Sequence, residues 1–225
     1  MGVISVEQTD RLFWLGRYTE RVYTTMRLYF ETYDAMIDRS GVEYQRFCER
    51  MEIPDIYEDG DDFGRRYAFD ETNPDSIISN LNRAYDNAIV LREAIGTDAL
   101  SYIQLAIYEM QKAAVIEAPV IEFQKIQDNI MAFWGFCDDM IEDENTRNII
   151  KIGKRVERID LFGRLHAKKS DMLREYHRLA GRIGRTKLKY SQEVLDEIGR
   201  LLEADADQID YWEIVDQIEQ LVALA

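Results

Sequence analysis

Three prolines in 225 residues, Pro54, Pro74 and Pro119, leave long stretches in which nothing forbids a helix. Apolar side chains recur there every three or four positions, the period of a helix packed on one face. Ser5 followed by Gln8 has the spacing of a capping box and places a helix start near Val6. The stripe Leu12, Leu15, Val22, Met26, Tyr29, Phe30, Tyr33 and Ile37 carries that helix from about 6 to 38. A short helix is expected after Gly41, through Tyr44, Phe47 and Met51. Asn73 and Pro74 read as the cap and first position of a helix bearing Ile77, Ile78, Leu81, Ala84, Tyr85, Ala88, Ile89 and Ile95. Gly96 ends it, Thr97 caps the next, and Pro119 breaks or restarts the one that follows. Further helices are expected at about 120–141, 144–169, 171–182, 191–203 and 210–223. The span 52–72 holds Pro54, Gly60, Gly64 and the acids Asp55, Glu58, Asp59, Asp61 and Asp62, and reads as a loop excursion. No window alternates as a strand does. The fold class expected is all-α, an antiparallel helical bundle forming a single domain over residues 1–225.

Charge narrows the function classes. A net charge of −15 argues against a general nucleic-acid binder. It is unevenly spread: residues 151–189 hold 13 Lys or Arg against 4 Asp or Glu, whereas residues 190–225 hold ten acids and one Arg. The basic strip suits nucleotide phosphate, RNA or an acidic partner, and the acidic tail is expected to pack beside it and neutralise it. No segment is long and apolar enough for a membrane span. The opening M-G-V-I-S-V-E-Q lacks the regions of a secretory signal, and Val6 replaces the Ser or Thr of a myristoylation motif, so a cytoplasmic location is expected. Cys48 and Cys137 make no disulfide framework.

One pattern occurs twice. Residues 15–22 read L-G-R-Y-T-E-R-V and residues 152–159 read I-G-K-R-V-E-R-I, an offset of 137. Gly16 aligns with Gly153, Glu20 with Glu157, Arg21 with Arg158 and Arg27 with Arg164. The pairs read as two equivalent helices, a pseudo-repeat. A mid-helix glycine costs about 1 kcal/mol against alanine, and suits a place where another backbone or a ligand comes close. A carboxylate beside it would be half-buried and would need a partner. Arg21, Arg27 or the arginines of the second copy are the available ones. The candidate binding residues are therefore Gly16, Arg17, Glu20, Arg21, Arg27, Gly153, Glu157, Arg158 and Arg164. The Glu-Arg pairs fit either an internal ion-pair network or a site whose arginines hold a ligand carboxylate or phosphate.

Other chemistries find little footing. A bundle metal site wants Glu-x-x-His, but Gly163 and Arg174 stand three before His166 and His177, so no metal is expected. A calcium loop starting at Asp55 fails at Tyr57 and Arg66. Cys137, among apolar and acidic neighbours, reads as a buried structural thiol.

The segments R-L-F-W-L-G-R-Y-T-E-R-V, N-P-D-S-I-I-S-N-L-N-R-A-Y-D-N-A-I-V-L-R-E-A-I and I-G-K-R-V-E-R-I-D together resemble the bacterial alpha-E family, an all-helical domain named for its Glu-Arg motif. The resemblance spans about residues 4–170. It implies a place in a peptide- or amide-bond-forming system, with a circularly permuted ATP-grasp protein and a transglutaminase-like protein as partners. By that resemblance the domain is a non-catalytic partner or regulatory module, and no cofactor is expected. Two alternatives stand beside it: an enzyme using Glu20 or Glu157 as general base with arginine anchors, and a small-anion binding module.

Overall fold

The structure is a computed structural model that describes residues 5–38, 44–116, 120–204 and 209–223. It is all-α: among the described residues there are eleven helices, and the sole β feature is an isolated bridge between Tyr190 and Val222. No helix of the described residues is long and apolar enough to cross a membrane. The chain divides into two compact units, one of residues 1–20 with 142–225 and one of residues 21–141. The first helix, α1 (Val6–Asp38), contributes its opening turns to the former and the remainder to the latter. Ser5 caps it, its Oγ accepting the Gln8 N–H at 3.1 Å.

The discontinuous unit is built on α8 (Glu144–Arg164). Asp143 starts that helix by accepting the Thr146 N–H at 2.7 Å. Helix α8 is buried on most of its circumference, through Ile149, Ile150, Ile152, Val156, Ile159 and Leu161. A helix so enclosed must be covered by several neighbours. Leu12, Phe13 and Leu15 of α1 supply part of the same core, and α9 (Lys169–Ile183), α10 (Gln192–Glu203) and α11 (Tyr211–Gln220) supply the rest. The break after α8 falls at His166, whose φ of 51° lies in the left-handed region. Because of it the helix stops at Arg164, short of the expected 169.

The other unit holds α2 (Gln45–Met51), α3 (Gly60–Phe69), α4 (Ile77–Val90), α5 (Arg92–Ile95), α6 (Thr97–Ala113) and α7 (Val120–Met140). Its core is aromatic: Phe63 stacks on Tyr67 at 5.3 Å and on Tyr44 at 5.2 Å, with Phe47, Tyr57 and Tyr29 around them.

Three expectations change here. The excursion at 52–72 contains a ten-residue helix, α3, whose face of Phe63, Tyr67 and Ala68 is buried. Three of its acids are helix-start residues: Asp59 accepts the Asp62 N–H at 2.8 Å, and Asp61 and Asp62 occupy the first turn. Asn73 does not cap α4. Its Oδ1 accepts the Asp75 N–H at 3.0 Å in a turn, and Ser76 is the cap. Thr97 opens α6 as its first residue, after Gly96 at φ 88°. The side chains of Phe30, Tyr33 and Ile37, together with Gly41 and Pro119, lie outside the described residues.

Candidate functional site: the crossing of two Glu-Arg helices

Helices α1 and α8 meet backbone to backbone. A β-carbon built on Gly16 would overlap the Ile150 carbonyl oxygen and come within 3.0 Å of the Lys154 nitrogen. One built on Gly153 would overlap the Phe13 carbonyl oxygen and come within 3.2 Å of the Arg17 nitrogen. Only glycine permits this approach, which brings Cα–H groups onto carbonyl oxygens. The contacts advance in the same direction on both helices: Phe13 with Gly153, Gly16 with Ile150 and Lys154, Arg17 with Glu157, Glu20 with Arg158. This pair therefore runs parallel, an arrangement that a simple antiparallel bundle does not contain.

The charged side chains close over the crossing. Arg158 donates from Nε to Glu20 Oε1 at 2.6 Å and from Nη2 to Oε2 at 2.9 Å. Glu20 is fully buried, and the two-bond fork is the strong form of a charge-assisted hydrogen bond. Lys154 Nζ lies 4.0 Å from the same carboxylate. Glu157, also fully buried, accepts from Arg17 Nε at 2.6 Å. Arg17 reaches Asp160 at 3.4 Å and lies over the Trp14 ring, 5.0 Å from its centroid. Asp160 in turn accepts from Arg164 Nε at 2.8 Å, and Arg164 Nη2 donates to Glu219 of α11 at 2.8 Å. That last pair ties the acidic tail to the basic strip.

A second carboxylate centre sits on α9. Glu175 is 1% exposed and receives the guanidinium of Arg155, with Arg178 at 3.0 Å, Arg174 at 3.6 Å and Arg158 at 3.8 Å. Arg158 thus joins Glu175 to Glu20. Among the described residues, one Arg155 N–H, on Nε, is buried with no acceptor. Lys154 has its ammonium pushed down to about 7: burial is the main cause, the Arg158 and Arg155 charges add to it, and the Glu20 and Glu175 charges oppose it. Burial likewise lowers Arg155, offset in part by Glu175.

The structure thus brings Gly16, Arg17, Glu20, Gly153, Glu157, Arg158 and Arg164 to one helix crossing, its charged groups in two ion-pair clusters, Glu20 with Arg158 and Glu157 with Arg17, Asp160 and Arg164. Arg27 stands exposed on α1. Arg21 belongs to the other compact unit, where its carbonyl accepts the Thr25 hydroxyl at 2.7 Å. Lys154, Arg155, Asp160 and Glu175 were not singled out from sequence. The signal for Glu175 was present in part, since Arg174 and Arg178 flank it at neighbouring and one-turn spacing, but nothing local placed it against Arg155 and Arg158. Cys48 is buried with its thiol pushed up to about 11, by burial first and then by Asp55. An open cavity of about 310 Å³ in the other unit, lined by Glu71, Thr72, Pro74, Ser79, Asn82 and Arg83, contains none of these residues.

Chemically, the crossing is a closed set of ion pairs. Its two motif carboxylates face guanidinium groups in the interior, and the arginines that hold them, Arg17 and Arg158, are 11% and 18% exposed. Neither curated proteins nor solved structures gave a match. A family model, described as a predicted alpha-helical domain with a conserved ER motif, matches residues 8–207 and so takes in both Glu-Arg pairs, Glu20-Arg21 and Glu157-Arg158. With most of its length matched, this chain belongs to the Alpha-E family.

Proposed function

We propose that this domain is a non-catalytic partner or regulatory module, working with an ATP-grasp-type ligase of a peptide- or amide-bond-forming system. One observation supports the non-catalytic part: both motif glutamates are 0% exposed and hydrogen-bonded to guanidinium groups. A general base must come within hydrogen-bond reach of the proton it takes, directly or through a water. Neither Glu20 nor Glu157 has that reach, so the enzyme alternative draws no support from this geometry. In the proposed role the ion pairs fix the register of α1 on α8, as buried polar groups do in some coiled coils. The partner itself rests on the family resemblance.

The test uses the full chain and a purified circularly permuted ATP-grasp protein from the same cell. Co-elution on size exclusion, together with a changed rate of ATP turnover by the ligase, is the expected result. If the two elute separately at concentrations of tens of micromolar and turnover does not change, the partner reading is wrong. Turnover of a peptidyl substrate by the domain alone would instead favour the enzyme alternative.

A further inference from the structure

Helix α9 carries a row of arginines that the ion pairs above do not balance. Arg174, Arg178 and Arg182 stand at four-residue spacing on one face, and Arg185 follows. From Arg174 to Arg182 the row is about 12 Å long at 1.5 Å per residue. Arg174 and Arg178 are 52% and 48% exposed. Both lean on Glu175, Arg174 also pairs with Asp171 at 2.9 Å, and Arg155 and Arg158 share Glu175 from α8. One buried carboxylate thus serves four guanidinium groups.

Farther along, Arg182 donates to the neutral Asn148 side chain at 3.2 Å. Burial and the like charges of Arg185, Arg147 and Arg178 push its guanidinium down. Among the described residues, then, the charges felt at this end of the row are of one sign. The buried Arg155 Nε–H, without an acceptor among the described residues, adds an unfilled donor to the same cluster.

We propose that the α8–α9 face formed by Arg155, Arg174, Arg178 and Arg182 is a binding site for a chain of phosphoryl groups, as carried by a nucleoside triphosphate or by inorganic polyphosphate. The row is made of guanidinium forks, which match phosphate oxygens two at a time, where lysine offers a point charge. Two carboxylates, Glu175 and Asp171, face the four guanidinium groups of Arg155, Arg174, Arg178 and Arg182 and leave the row overcharged. The counter-charge that fits is dense and linear, and two or three linked phosphoryl groups provide it. The site stands apart from the partner reading and survives its failure.

Calorimetric titration of the full chain with inorganic tripolyphosphate, and separately with ATP, tests it. Both ligands are expected to bind, more weakly as sodium chloride is raised from 50 to 300 mM (about a twofold fall in screening length). The double variant R174Q/R178Q is expected to lose at least tenfold in affinity and to keep its ligand-free melting temperature, because its side chains are half exposed. If that variant does not fold, R182Q gives the same readout. ATP much tighter than tripolyphosphate, with the arginine dependence intact, means a nucleotide-borne chain; equal binding means the phosphates alone are read. No binding at millimolar tripolyphosphate overturns the proposal. So does affinity unchanged in R174Q/R178Q, or tighter binding of an aspartate-rich peptide than of either phosphate ligand.

Discussion

The guanidinium of Arg158 grips both carboxylate oxygens of Glu20 across 138 positions of chain, and the same guanidinium lies 3.8 Å from Glu175 on a third helix. Three helices therefore share one side chain, which makes this ion pair costly to halve. Glu20→Gln leaves Arg158 facing a neutral amide and is expected to cost about 3–5 kcal/mol, the range for breaking a buried pair. Replacing both partners by apolar residues, as in Glu20→Leu with Arg158→Met, should recover a large part of that loss. Urea denaturation of Glu20→Gln, of Glu20→Leu and Arg158→Met singly, and of their double variant measures it. A double variant no more stable than the worse single one would show that the pair is not the unit that matters.

The glycines make a sharper contrast. At Gly16 or Gly153 an added methyl meets backbone, which cannot swing aside as a side chain can. Gly16→Ala and Gly153→Ala are each expected to destabilise by about 3 kcal/mol, the upper end of overpacking costs. Gly181 on α9 has open space around the same position. Gly181→Ala should therefore stabilise by up to about 1 kcal/mol through helix propensity alone. Urea midpoints of the three variants settle it: equal effects at Gly16 and Gly181 would contradict the close approach.

Lys154 gives a dependence on pH. It faces Glu20 from α1, Arg155 and Arg158 on its own helix and Glu175 from α9. With its folded value near 7, the folded chain releases this proton as pH rises through neutrality. The unfolded chain holds it up to about 10.4. Between those limits the unfolded state binds more protons, so this group makes stability rise with pH, by at most about 1.4 kcal/mol per unit. Below pH 7 both states carry the charge and the dependence vanishes. The stability of the native chain minus that of Lys154→Met should accordingly climb from pH 7 to pH 10 and be flat from 5 to 6.5. A difference that falls over the upper window would mean that the ammonium is favoured in the folded state.

At the start of α3, Asp59 holds the Asp62 N–H. Asp59→Ala is expected to cost about 1 kcal/mol, and Asp59→Asn only a few tenths. Thermal unfolding of the two variants checks it. Equal losses would point to the charge of Asp59 at the helix start in place of its hydrogen bond.

Helix positions were largely legible because the buried stripe is continuous. Leu12, Leu15, Val22, Met26 and Tyr29 are all buried at the spacing that predicts them. Helix α3 was missed because Asp59, Asp61 and Asp62 are hydrophilic wherever they sit. Their acidity reads as loop unless the cap at Asp59 is recognised, and Phe63 and Tyr67 show only two turns of apolar period. Asn73 misled for a related reason, since the same side chain that caps a helix also closes a turn. At the site, the glycine and glutamate of each motif copy could be marked from sequence, since a helix-interior glycine four residues before a glutamate is unusual. Lys154 could not. Its burial depends on how deeply α8 is enclosed, and no local pattern encodes that. Glu175 needed knowledge of which α8 arginines face α9.

The chain order of the discontinuous unit sets a timetable. Residues 1–20 are made before their partners, which begin at 142, with the whole of 21–141 in between. At 5–20 residues per second, the offset of 137 positions between the motif copies is roughly 7–27 s of synthesis. During that interval Leu12, Phe13 and Leu15 have no α8 to cover them, while the residues of the intervening unit are being made. The Gly16–Gly153 contact is thus a late event of biogenesis, formed by closing a long loop whose entropic cost grows only slowly with its length. For those seconds the apolar stripe of α1 around Leu12, Phe13 and Leu15 waits for the helix that buries it.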